Sequence, residues 1–261
     1  MAHLEGIRLK KKYGQHFLHD ESVVHSMLNA VALDTNTSVF EIGCGEGFLT
    51  RRILQTPIAR LWVFEIDSDW ANHIQKTVTD KRLSVFLQNF LESDLSLLEP
   101  HSPWTILANL PYQVTFPIIH RFREHKHLIK EGVVMVQEEV AQKITKKSGR
   151  GYGFISLFLQ WHFDWRLLQK ISPTAFFPPP KVDSRLLYFK PRMNLPDIPK
   201  ADLFWRFIKI CFKQPRRTLR NNLAQAHYAI DVIPEKTLAL RSQQLNIDDF
   251  LALWELLHPL L

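Results

Sequence analysis

Cysteine is nearly absent from this chain. Cys44 and Cys211 stand far apart in 261 residues, and neither belongs to a CxxC pair. Such spacing excludes a disulfide framework and the usual zinc-site patterns; reduced thiols in a cytosolic protein fit it best. Long apolar runs are missing too. No uninterrupted stretch approaches the ~20 residues that a membrane-crossing helix needs. Arg8, Lys10, Lys11 and Lys12 are not followed by an apolar segment, so no secretory leader is expected. There is no internal repeat. Nor is there an acidic surplus: 33 Lys and Arg face 26 Asp and Glu, for a net charge of +7. An anionic partner follows, nucleic acid ahead of a membrane surface, although charge alone suits a merely basic enzyme equally well.

What is present is an ordinary globular share of hydrophobic residues, 46%, enough for a real core. The pattern alternates. After a basic arm ending in Tyr13-Gly14-Gln15-His16-Phe17-Leu18, spacing predicts a helix over 21–33, with Asp20 as its N-cap. Strands are predicted at 38–42, 61–65, 83–87, 104–108, 132–137, 165–171 and 185–189. Helices run from the glycine turn to Leu54, then over 68–78, 114–125 and 154–161. Alternation of this kind predicts a mostly parallel, doubly wound α/β sheet. Lys143, Lys146, Lys147 and Arg150 are expected in a glycine-flanked loop, as a solvated face or a grip on phosphates. Pro191, Pro196 and Pro199 mark a linker. Beyond it the spacing is helical at 201–212, 216–226, 234–241 and 247–258. The expected division is therefore 1–192 and 193–261, the second part a small all-helical domain. Lys213, Arg216, Arg217 and Arg220 within it suit an RNA backbone or a solvated face.

Two stretches carry chemistry. Gly43-Cys44-Gly45-Glu46-Gly47 joins a strand to a helix, and Glu65 ends the next strand 22 positions after Gly43. Glycines there let the backbone approach a ligand, and an acid at that spacing suits ribose hydroxyls. Such a turn serves NAD or S-adenosylmethionine. Asn109-Leu110-Pro111-Tyr112 discriminates between them. It ends a buried strand at the sheet edge where ligands bind, and no acid/base constellation for hydride transfer accompanies it. An aromatic amine is a poor nucleophile because its lone pair is drawn into the ring. Asn109 Oδ1 and the Leu110 carbonyl can accept its two hydrogens and favour a pyramidal nitrogen, while Tyr112 stacks on the base. Pro111 makes the turn rigid. Spacing alone puts Phe176, beside three consecutive prolines, in the core.

Six stretches in order, Tyr13-Gly14-Gln15-His16-Phe17-Leu18, Glu41-Ile42-Gly43-Cys44-Gly45, Glu65-Ile66-Asp67, Asn109-Leu110-Pro111-Tyr112, Phe177-Pro178-Pro179-Pro180-Lys181-Val182-Asp183-Ser184 and Arg216-Arg217-Thr218-Leu219-Arg220-Asn221-Asn222-Leu223, resemble the ribosomal RNA adenine dimethyltransferases of the KsgA family. The resemblance covers nearly the whole chain. It implies a Rossmann-like class I S-adenosylmethionine-dependent methyltransferase domain followed by a helical RNA-contacting domain. It implies dimethylation of two adjacent adenosines near the 3′ end of small-subunit ribosomal RNA, within an immature subunit, by a cytoplasmic monomer that needs no metal. A large-subunit methyltransferase of the macrolide-resistance type shares the catalytic motifs; the long helical C-terminal domain favours the small-subunit type. By residue, the resemblance implies His16 and Leu18 flanking the cofactor, Gly43 beneath it, Glu65 on its ribose and Asn89 beside its adenine. Asn109 and Tyr112 act at the target base, and Phe176 becomes a second stacking ring. The family usually has Asn at position 16, Asp at 89 and Pro at 44. An uncharged Asn89 implies weaker cofactor binding.

Overall fold

A computed structural model describes residues 3–226 and 228–260. In the basic arm, β1 (His3–Leu4) and β2 (Ile7–Arg8) pair across a tight turn in which Glu5 and Gly6 both have positive φ. Next comes β3 (Phe17–Leu18), which pairs antiparallel with β10 (Phe176–Phe177). That pairing buries Phe17 and Leu18, the two apolar residues at the end of the basic arm.

The main sheet uses β4 (Ser38–Ile42), β5 (Arg60–Glu65), β6 (Leu83–Leu87), β7 (Trp104–Asn109), β8 (Ile129–Gln137), β9 (Phe163–Ile171) and β11 (Ser184–Pro191). Their order is β6-β5-β4-β7-β8-β11-β9. The first five run parallel and β11 runs antiparallel to β8. All five residues of β4 are buried, as expected of a central strand covered on both faces. Successive residues point to opposite faces. Val39 joins an aliphatic cluster with Val24, Met27, Leu61, Leu107 and Leu186. Phe40 meets Phe64, Phe90, Trp104 and Phe122 at ring distances of 5.8–6.4 Å. Burying one such ring contributes about 2–3 kcal/mol.

Helices α1 (Glu21–Leu28), α2 (Phe48–Leu54), α3 (Ser68–Thr77) and α4 (Thr115–Glu124) connect these strands. Asp20 caps α1 by accepting from Ser22 N, as its sequence position predicts. The backbone leaves the helix at Asn29, short of the expected Leu33, although Val31 is still buried. Helix α5 (Glu138–Thr145) occupies part of the expected loop and carries Lys143. Its Glu138 forms a two-pronged pair with Arg185 of β11, at 2.6 and 2.9 Å.

Two compact units are present. One comprises residues 1–141 and 165–193 and contains the site described below. The other comprises 142–164 and 194–261. Its helices are α6 (Phe154–His162), α7 (Ala201–Cys211), α8 (Leu219–Leu223), α9 (Glu235–Leu238) and α10 (Ile247–Leu257). Its core contains Tyr152, Phe204, Phe207, Leu219, Phe250 and Trp254. Helix α8 starts later than 216 because Thr218 is its N-cap, accepting from Asn221 N. Helix α9 is a single turn after Pro234. No helix among the described residues is long and apolar enough to cross a membrane.

Candidate active site

Parallel strands β4, β5 and β7 end at one edge of the sheet, and a cavity of about 380 Å³ opens there. Phe176 aside, every residue that the sequence assigns to the cofactor or the target base lines it: His16, Leu18, Gly43, Glu65, Asn89, Asn109, Leu110, Pro111 and Tyr112. The basic arm forms one wall.

Gly43 has φ +76°, and a Cβ placed on it would meet nothing within 4 Å, so the turn leaves an open face there. Gly45 has φ +52°, and a Cβ on it would lie 2.7 Å from the Phe17 ring. The ring of the arm thus sits directly on the turn. Glu65, 6% exposed, accepts from Gly45 N at 3.3 Å and Asp67 N at 2.8 Å. Burial pushes its carboxyl up. The Cys44 thiol also donates to it at 3.6 Å. Two carboxylate oxygens beside an open glycine face fit a nucleoside cofactor's ribose.

The arm is fastened next to Glu65. Lys10 Nζ contacts Asp67 and, at 2.8 Å, Asp69; Gln15 Nε2 donates to Asp67 at 2.9 Å. Hydrogen bonds from the Lys10 ammonium to both carboxylates raise its pKa. Asn89 is engaged in its own turn: its amide oxygen accepts from Leu91 N at 3.1 Å and its nitrogen donates to Glu92 at 2.8 Å.

The amide of Asn109 has a definite orientation. Its nitrogen donates to the His16 carbonyl at 3.0 Å. A carbonyl only accepts, so the partner fixes the nitrogen end, and the amide oxygen is left for the cavity. Leu110 N is held by Met135 O at 3.1 Å, which anchors the turn to β8. The Tyr112 hydroxyl lies 2.6 Å from Ser184 Oγ, and burial raises the phenol's pKa. The imidazole of His16 stacks on the Tyr112 ring, with centroids 5.9 Å apart and planes 24° apart, and its Nδ1 meets Pro178 O at 2.7 Å. His16 therefore binds the Asn109–Tyr112 turn to the arm through both its carbonyl and its ring.

The structure does not bring Phe176 to the cavity. It is 3% exposed and sits in the aliphatic core opposite Leu18 in the β3–β10 pair. Alternation along β10 turns Phe177 outward instead, 40% exposed. Spacing alone favoured that core position; the resemblance did not. Glu41 is a lining residue to which sequence reasoning gave no role. It is 1% exposed, accepts from the Thr50 hydroxyl at 2.6 Å, and burial pushes its carboxyl up to about 8. Its sequence signals are a charge inside an otherwise uncharged strand, Ser38-Val39-Phe40-Glu41-Ile42, and its place at the head of the Glu41-Ile42-Gly43-Cys44-Gly45 stretch.

A family described as ribosomal RNA adenine dimethylase matches residues 6–254. A ribosomal RNA small subunit methyltransferase A from Syntrophotalea carbinolica is 36% identical over 97% of this chain and 98% of its own length. A dimethyladenosine transferase from Plasmodium falciparum superposes with a TM-score of 0.76 at 22% identity, covering 91% of this chain and 96% of its own. The 23S rRNA methyltransferase ErmE superposes with a TM-score of 0.73, also at 22% identity, covering 93% and 99%. These two structural likenesses show a shared fold.

Proposed function

The chain belongs to the ribosomal RNA adenine dimethylase family, and from that premise we propose that it dimethylates two adjacent adenosines near the 3′ end of small-subunit ribosomal RNA. The methyl donor is S-adenosylmethionine. The substrate is RNA within an assembling small subunit, and the enzyme acts on it as a cytoplasmic monomer.

Asn109 carries this reading. With its nitrogen held by the His16 carbonyl, the amide turns its oxygen, an acceptor, toward whatever enters the cavity. An exocyclic amino group offers two hydrogens. Asn109 Oδ1 accepts one and the Leu110 carbonyl the other, which draws the nitrogen toward a pyramidal shape with its lone pair available. The bound cofactor supplies an electrophilic methyl carbon on a sulfonium centre. Tyr112 orients the base by stacking, and no strong base is required, because an alkylated, positively charged nitrogen releases its proton readily. Gly43, Glu65 and the arm residues His16 and Leu18 hold the donor; Asn89 sits at its adenine end. The purine must leave its stack to enter, so RNA shape contributes to selection.

Incubation with labelled cofactor and immature small subunits, followed by nucleoside analysis, tests the proposal. Dimethyladenosine in small-subunit RNA is the expected product. Label confined to large-subunit RNA reassigns the substrate, and tight subunit binding without methyl transfer indicates a non-catalytic assembly factor.

A further inference from the structure

Strand β11 runs antiparallel to its neighbour β8, so it starts at the edge where the parallel strands end. Its first residue is Ser184, which is fully buried and opposite Gln137. Its hydroxyl lies 2.6 Å from the Tyr112 hydroxyl. One hydrogen bond therefore reaches from the catalytic turn after β7, past β8, to the start of β11. Tyr112 is restrained on a second side by the stacked His16 ring, itself anchored to Pro178 O in the segment leading to Ser184. A phenol tied this way is not placed to act as an acid or base. What the tie controls is the position of the ring.

Resting on the methyl-transfer function proposed above, we infer that Ser184 is a positioning residue: its hydroxyl holds the Tyr112 ring where the ring fixes the target base against the Asn109 amide. Both successive transfers to one nitrogen need the base returned to the same place, so a loose ring slows each of them. The ring makes the same stacking surface wherever it lies, so RNA affinity depends little on the tie, whereas turnover depends on it directly.

Four proteins test this: wild type, Ser184→Ala, Tyr112→Phe and the double variant, each assayed with immature small subunits. Ser184→Ala is expected to lower kcat about tenfold, the scale of one lost neutral hydrogen bond, with KM for cofactor and RNA within about twofold. Tyr112→Phe removes the same bond, so the double variant is expected to be no slower than the slower single one. Wild-type kcat in Ser184→Ala, or a double loss equal to the product of the two single losses, overturns the inference. Thermal unfolding of the same four proteins reads the bond without any activity. Tyr112→Phe leaves the buried Ser184 hydroxyl, and Ser184→Ala the half-buried Tyr112 hydroxyl, without its partner, so each single variant should melt lower; the double variant should melt no lower than the worse single one. Additive losses in Tm overturn the inference. If the wild-type protein transfers no methyl group, the proposed function fails, and the melting series still decides whether Ser184 holds Tyr112.

Discussion

At Asn109 the amide nitrogen serves the fold by donating to the His16 carbonyl, and the role in methyl transfer proposed above falls to the amide oxygen. Asn109→Ala removes both, and kcat should fall by about 10²–10³, the scale of losing one transition-state hydrogen-bond partner. Steady-state methyl transfer checks this, and near-normal turnover would remove Asn109 from the mechanism. Glu41 offers a pH test. Folded Glu41 keeps its proton up to about pH 8, whereas an unfolded glutamate loses it near its ordinary 4.5. Between those values the folded state binds the extra proton, so its stability falls as pH rises, by about 1.4 kcal/mol per unit, and levels off above the upper value. Glu41→Gln still accepts from Thr50 and should remove that slope. Urea unfolding of both proteins across this range reads the difference. Asn109 and Tyr112 were legible because a strand broken by proline fixes where its last polar residue lies. Glu41 was not, because the chemistry of a lone acid depends on burial that spacing does not report. Asn89 stands between these cases: its position is plain, but its engagement with Glu92 is a matter of geometry.

Among the elements, the glycine turn and the arm interlock through Gly45 and Phe17. Gly45→Ala forces a methyl into the Phe17 ring at a backbone angle that disfavours side chains. A cost of about 1–3 kcal/mol is expected, together with weaker cofactor binding and faster proteolysis of the arm. Melting, calorimetry and limited digestion check the three effects, and an unchanged arm would mean that the ring shifts freely. The strands were readable from sequence because burial on both faces leaves continuous apolar runs such as Val133-Val134-Met135-Val136. Short helices were overextended where a cap intervenes, as at Thr218. The β3–β10 pair was invisible, since residues some 160 positions apart leave no local periodicity. Residues 142–164 likewise pack with helices that follow much later in the chain, a grouping that linear order does not reveal.

For the whole molecule, the net charge of +7 takes effect through particular side chains. Arg216 and Arg217 are exposed, but Arg220 is paired with Glu235. Reversing the charge of Arg216 and Arg217 should weaken RNA binding and flatten its logarithmic salt dependence by roughly two. Adding reversal at Arg220 should subtract less, because that side chain already has a carboxylate partner. Binding measured over a salt series checks both, and an unchanged slope would make the run a plain solvated face. The pairing of Phe17-Leu18 with Phe176-Phe177 also bears on the order of biosynthesis. A nascent chain that has emerged only through residue 150 already holds the glycine turn and Asn109, yet the strand that covers its arm has still to be made. Methyl-transfer competence should therefore arrive late in translation, once Phe176 to Ser184 has left the ribosome making it.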